Sequence, residues 1–217
     1  MSLIYRNKFA LPSLPPPDSF RGKSILITGG TSGLGLAAAV HYINLGAASV
    51  TITARTEFKG LAAVREIERL TGKKETARFM LLDMSTFATT MSFVRLVKEE
   101  GKEYDTILLN AGIVNRAFKL GPETFEETLQ IHVLSTALLG LQLLAWMKSL
   151  PVTVVGRHLG FVTSGLHRGV KIAAGDGWPQ GDVLRFWSTE ENWRGSEMYA
   201  ISKLLEQYVV NEIAGLS

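Results

Sequence analysis

The chain has 217 residues, 46% hydrophobic and 20% charged, a balance that suits one folded domain and excludes a disordered, collagen-like or coiled-coil chain. Cysteine is absent, which rules out disulfide scaffolds, thiolate zinc sites and cysteine nucleophiles and makes a reducing, cytoplasmic setting the expectation. Lys and Arg number 23 against 20 Asp and Glu, a net charge of +3, and they are scattered rather than blocked, so no nucleic-acid partner is expected.

Residues 1–21 carry Pro12, Pro15, Pro16 and Pro17 and lack the apolar run and cleavage site of a signal peptide. They read as a proline-rich leader, extended on the domain or loose, with the domain itself expected over 22–217. Past the leader, β-rich runs are expected as strands at Ser24–Thr28, Ser49–Ala54, Arg78–Leu82, Thr106–Asn110 and His158–Thr163. Helical patterns lie between and after them at Leu34–Leu45, Glu57–Thr71, Thr86–Glu100, Glu123–Lys148 and Glu197–Ala214, with Gly46, Gly72 and Gly101 as stops. This alternation predicts an α/β fold, a parallel sheet with helices on both faces in three layers. Leu129–Met147 is long enough to suggest a membrane span, but Gln130, His132 and Gln142 within it favour a buried core helix, and no membrane span is expected.

The first strand runs into Thr28-Gly29-Gly30-Thr31-Ser32-Gly33-Leu34-Gly35, which opens a helix. Such a turn gathers backbone amides and the positive end of the helix dipole at one point, where a diphosphate can approach if side chains do not block it. An ordinary tight turn is the alternative reading of glycines alone. The spacing T-G-x-x-x-G-x-G differs from the general G-x-G-x-x-G dinucleotide fingerprint.

Four further motifs follow in order: Leu82-Asp83-Met84-Ser85, Asn110-Ala111-Gly112, Val162-Thr163-Ser164 and Tyr199-Ala200-Ile201-Ser202-Lys203. With the glycine turn they make the chain resemble the short-chain dehydrogenase/reductase family over about 22–217. Leu134-Ser135-Thr136-Ala137-Leu138-Leu139 and the proline leader are most similar to fungal secondary-metabolism members. The resemblance implies a Rossmann-like doubly wound sheet and a nicotinamide dinucleotide held by Gly29, Thr31, Ser32, Gly33, Leu34, Gly35, Asp83, Asn110, Tyr199 and Lys203. It implies a catalytic set of Ser164, which hydrogen-bonds the substrate oxygen, Tyr199, which transfers the proton, and Lys203, which holds the ribose and tunes the phenol. A small-molecule carbonyl or alcohol substrate and a homo-oligomer are implied with it.

Tyr199 and Lys203, at i and i+4 on one helix, share a face, so the ammonium can favour the phenolate; a snorkelling surface pair is the other reading of the same spacing. At the end of the second strand, Thr53-Ala54-Arg55-Thr56 offers no acid to a free ribose, whereas Arg55, with Lys59 beside it, could grip a 2′-phosphate, so NADP (NADPH) is the expected cofactor. A solvated Arg55 is the alternative. Three departures from the family stand out. His132 occupies the place of an Asn on the long helix, either as a proton relay or as an idle buried ring. The family continues past the Tyr/Lys helix into further strands, while this chain stops at Ser217, so the last strands are expected to be missing. The segment between Ser164 and Tyr199 is longer than usual, with Trp178, Phe186, Trp187 and Trp193 either facing substrate or stapling a loop. Two functions are expected from this: an NADP-dependent oxidoreductase acting on a small apolar molecule, or a non-catalytic or truncated dinucleotide-binding relative.

Overall fold

Short aliphatic runs with no polar alternation are what a sheet covered on both faces demands, and Ser24–Ile27 (β1) meets that demand with Ile25, Leu26 and Ile27 fully buried. A computed structural model of the chain describes residues 13–152, 156–171, 179, 181–195 and 197–216. The other strands are Ser49–Ala54 (β2), Ala77–Leu81 (β3), Thr106–Leu109 (β4) and His158–Phe161 (β5). All pairings are parallel and the order is β3-β2-β1-β4-β5, with Ile25 opposite Val50 on one side and Thr106 on the other. Strand order therefore reverses between β1 and β4, the place where an open α/β sheet leaves a crevice beyond its carboxyl ends.

The helices are Gly33–Asn44 (α1), Glu57–Thr71 (α2), Phe87–Glu99 (α3), Glu127–Ser149 (α4), Val183–Trp187 (α5) and Glu197–Gly215 (α6). Ala39, Ile43, Ala63 and Ile67 of α1 and α2 pack on Ile25, Ile27 and Ile52. Phe93, Val97, Leu139 and Leu143 of α3 and α4 pack on Leu26, Ile107 and Leu109. Two apolar layers on opposite faces of one sheet make the three-layer doubly wound fold that the alternation predicts.

α2 shows why the boundaries lie where they do. Thr56 Oγ1 accepts the Lys59 amide at its start, and Gly72, at φ 68°, closes its end in the left-handed conformation. β3 begins one residue earlier than expected, because Ala77, a weak strand former, is drawn in by its pairing with Val50. Residues 16–22 are docked rather than loose: the Phe20 amide bonds Leu45 O, and its ring meets Tyr42 edge-on at 4.7 Å. Pro12 and the residues before it lie outside the described residues. α4 is the helix, among the described residues, with the length and apolarity to cross a membrane, yet its Leu139, Leu143 and Met147 are buried in the core, as expected for a central helix.

Candidate functional site

At the carboxyl ends of the strands lies a cleft of about 580 Å³ that collects residues from all five strand ends and from α4 and α6. Gly29, Thr31, Ser32, Leu34, Gly35, Arg55, Asp83, Asn110, Ser164, Tyr199 and Lys203 all line it. Gly33 does not; it is exposed and opens α1 at φ 53°.

The glycine turn is crowded by the protein itself. Gly29 sits at φ 69°, and a Cβ there would fall 2.7 Å from Ala111 Cα; a Cβ on Gly35 would fall 2.4 Å from Gly29 O and 2.6 Å from Asn110 Nδ2. These glycines let α1 and the loop after β4 close on each other, so the turn keeps its shape before any ligand arrives. Asn110 acts on the same joint, its Nδ2 donating to Thr28 O at 3.0 Å and to Gly29 O at 3.3 Å. Thr28 Oγ1 in turn accepts the Asn110 and Ala111 amides. At the mouth of α1, Ser32 lines the cleft and takes the N-cap position but makes no side-chain cap bond, so the opening amides have no partner in its hydroxyl, as suits a helix end that receives an anion. Arg55, just past the end of β2, and Lys59, in the first turn of α2, line the same cleft; Glu57, between them in sequence, does not line it.

α4 opens with an irregular π-type turn over Gln130–Ser135. The turn is pinned to the strand ends: Ser135 Oγ donates to Met84 O at 2.7 Å, and His132 Nε2 accepts the Ile113 amide at 2.9 Å. An Nε2 that accepts an amide hydrogen carries none, so the neutral ring holds its proton on Nδ1 and donates it to Ser202 Oγ, 2.9 Å away; Ser202 passes a bond on to Tyr199 O. The ring is fully buried and stands edge-on to Tyr199 with centroids 5.5 Å apart. Burial, with the charge of Lys203 nearby, pushes the imidazole down to about 3. Protonating Nε2 would break the Ile113 bond inside the core, so the geometry favours a fixed strut over a proton relay.

Ser164 ends the loop after β5 and caps a 3₁₀ turn, Gly165–Gly169; its Oγ accepts the Leu166 amide at 3.3 Å, and the hydroxyl hydrogen remains to be donated. Lys203 is 3% exposed, with Nζ 3.0 Å from Val162 O and 2.6 Å from Glu206 Oε2. Glu206 and Ser202 are absent from the residues expected from sequence. The signal for Glu206 is its place seven residues after Tyr199, on the inward face shared with Lys203.

The long segment before α6 is a staple among its described residues. Trp187, 1% exposed, packs with Phe186 and Trp193 against Leu129, Val133, Met198 and Ile201. Ser188 Oγ accepts the Glu126 amide, and Arg185 lies 3.8 Å over the Phe125 ring, fastening the segment to the start of α4. None of these aromatic residues lines the cleft, and Trp178 lies outside the described residues.

The family model for short chain dehydrogenases matches residues 23–155, more than half of the chain. Short-chain dehydrogenase/reductase ffsI of Aspergillus flavipes is 35% identical over 205 residues, covering 94% of this chain and 60% of the relative. Its counterpart phmF of Phaeosphaeria nodorum is 34% identical over 214 residues, covering 97% and 62%. The chain thus spans about three-fifths of the length of these curated relatives. Among solved structures, a Shigella flexneri 2a chain assigned as a short chain dehydrogenase and complexed with NADP superposes with a TM-score of 0.66 at 22% identity, covering 92% of this chain and 74% of that one. That likeness concerns the fold.

Proposed function

The chain belongs to the short chain dehydrogenase family, and from that premise we propose that it is an NADP-dependent oxidoreductase interconverting a carbonyl and an alcohol on a small, apolar molecule. The observation that carries this reading is the single cleft in which the glycine turn, Arg55, Lys59, Ser164, Tyr199 and Lys203 meet. The residues suit a dinucleotide. The uncapped start of α1 offers amides to a diphosphate, and the Arg55 guanidinium with the Lys59 ammonium offers a cationic grip to a 2′-phosphate. The NADP complex of the Shigella flexneri chain and the NADPH complex of an Escherichia coli relative of similar fold support the same choice. Similarity to fungal relatives supports a place for the reaction in fungal secondary metabolism.

When bound, the nicotinamide supplies or accepts the hydride. The chain's own residues do the rest. Ser164 donates its hydroxyl hydrogen to the substrate oxygen, and Tyr199 moves a proton to or from that oxygen. Lys203, anchored on Val162 O, keeps a positive charge beside the phenol and a donor for the ribose. Arg55 after β2, the glycine turn before α1 and the phenol on α6 stand on separate elements and would together hold a nicotinamide dinucleotide.

The test is turnover of a panel of ketones and aldehydes with NADPH by the wild type and by Tyr199→Phe. The variant is expected to lose at least about a hundredfold, the usual contribution of a positioned acid. Equal turnover by the two proteins would overturn the assignment of Tyr199.

A further inference from the structure

We infer that Glu206 is a positioning residue for the acid-base pair, its carboxylate holding the Lys203 ammonium at the wall of the cleft and offsetting part of that charge at the Tyr199 phenol. The inference rests on the reading of Tyr199 and Lys203 given above and adds a third member to it. Three observations carry it. The side chains of Lys203 and Glu206 are only 4% and 2% exposed, with Nζ and Oε2 2.6 Å apart. A buried ion pair contributes little to stability compared with apolar groups of the same size, so stability alone does not account for an acid at this position. The ammonium has three hydrogens: Val162 O accepts one, Glu206 Oε2 stands at ion-pair distance without hydrogen-bond geometry, and Lys203 lines the cleft together with Tyr199.

Tyr199, Lys203 and Glu206 follow one another at four and three residues along a single face of α6, with Lys203 the middle member. Burial pushes the Glu206 carboxyl above the usual carboxylate range and Lys203 draws it part of the way back. The Lys203 ammonium, 2.6 Å from Oε2, favours the ionised carboxylate. The other groups facing this cluster add little that competes. From α4, His132 is held neutral, and Glu127 is paired with Lys119 and Asn115. From the 3₁₀ turn, His167 is bonded to Ser164 O and Arg168 is exposed. From β5, the contact is the uncharged Val162 carbonyl. A negative charge beside Lys203 makes the phenolate harder to form than a lone ammonium would, and so keeps Tyr199 a proton carrier over a wider range of pH.

The experiment is a pH titration of tyrosinate absorbance in the near ultraviolet on the full chain, with Tyr199 isolated from the five tyrosines as the difference between each protein and the same protein carrying Tyr199→Phe. It needs neither cofactor nor substrate, so an inactive chain that shows the expected shifts would sink the proposed function and leave this inference standing. In Glu206→Gln, which keeps an oxygen for the ammonium and removes the charge, phenolate is expected about one pH unit lower than in wild type. Glu206→Asp, which restores the charge, is expected to return the curve to within a few tenths of a unit. The double variant Lys203→Met/Glu206→Gln, in which the buried pair becomes neutral, is expected to form phenolate above wild type, because it loses the nearer charge. A Glu206→Gln curve that overlays wild type or moves to higher pH would overturn the inference. So would an Asp variant that behaves like Gln, or a double variant that titrates below wild type.

Discussion

His132 makes folding stability depend on pH, with a sign and size that follow from its surroundings. In the folded chain the ring is buried, committed as an acceptor to the Ile113 amide, and pushed down to about 3; in the unfolded chain a histidine titrates near about 6.5. Between those values the unfolded state binds the proton and the folded state does not, so stability is complete above about 6.5 and falls as pH drops toward 3. For those two values the contribution lost between pH 7 and pH 5 is about 2 kcal/mol, and by pH 4 about 3 kcal/mol. Buried Glu126 and Glu206, both raised by burial, act in the opposite sense, gaining stability on acidification. Comparison with His132→Asn separates the two, because the variant keeps the carboxyls and removes the imidazole. Urea unfolding at pH 7, 5 and 4 should show wild type losing about 2 kcal/mol more than His132→Asn at pH 5. Parallel pH dependence in the two proteins would mean that the ring takes its proton inside the fold, and the neutral strut would be wrong.

Gly35→Ala places a Cβ against Gly29 O and Asn110 Nδ2, so α1 must move off the turn; a loss of about 1–3 kcal/mol in urea unfolding is expected, together with loss of NADPH binding. A stable Gly35→Ala that binds NADPH normally would show that the joint is not tight. Trp187→Ala removes a fully buried ring that staples the segment before α6 to α4, and urea unfolding should register about 3–5 kcal/mol. A change below about 1 kcal/mol would place that ring outside the cooperative core.

The elements that sequence anticipates best are those whose ends carry chemistry. α2 runs from Glu57 to Thr71 as read, because Thr56 and Gly72 cap it, and β2 runs from Ser49 to Ala54 because its buried run is bounded on both sides. The cleft residues are legible for a related reason: turns that bring amides or short side chains to strand ends leave glycines, Asn110 and Ser164 at particular offsets from the strands. What escapes notice has no local letter code. The π-type turn at Gln130–Ser135 is a change of hydrogen-bond partner, settled by Met84 O and the Ile113 amide, which lie far away in sequence. The same holds for His132, whose role as a strut appears only when Ile113 and Ser202 are seen on its two nitrogens. Glu206 looks like one more polar residue on an amphipathic helix until its face is known to be the buried one. α5 carries a faint signal, Asp182 ahead of an apolar run, with the Asp side chain accepting the Arg185 amide, but five residues are too few to stand out by period.

On the proposed function, the mouth of α1 and the end of β2 together hold NADP, and titration of the purified full chain with NADPH and with NADH, followed by tryptophan fluorescence, in wild type and in Arg55→Ala, tests this without any substrate. Saturable binding of NADPH, tighter than that of NADH, is expected. Arg55→Ala should weaken NADPH about tenfold or more, the worth of a charged hydrogen bond, and leave NADH nearly unchanged. Retention of neither nucleotide by the wild type, or an equal grip on both that Arg55→Ala does not alter, would contradict it.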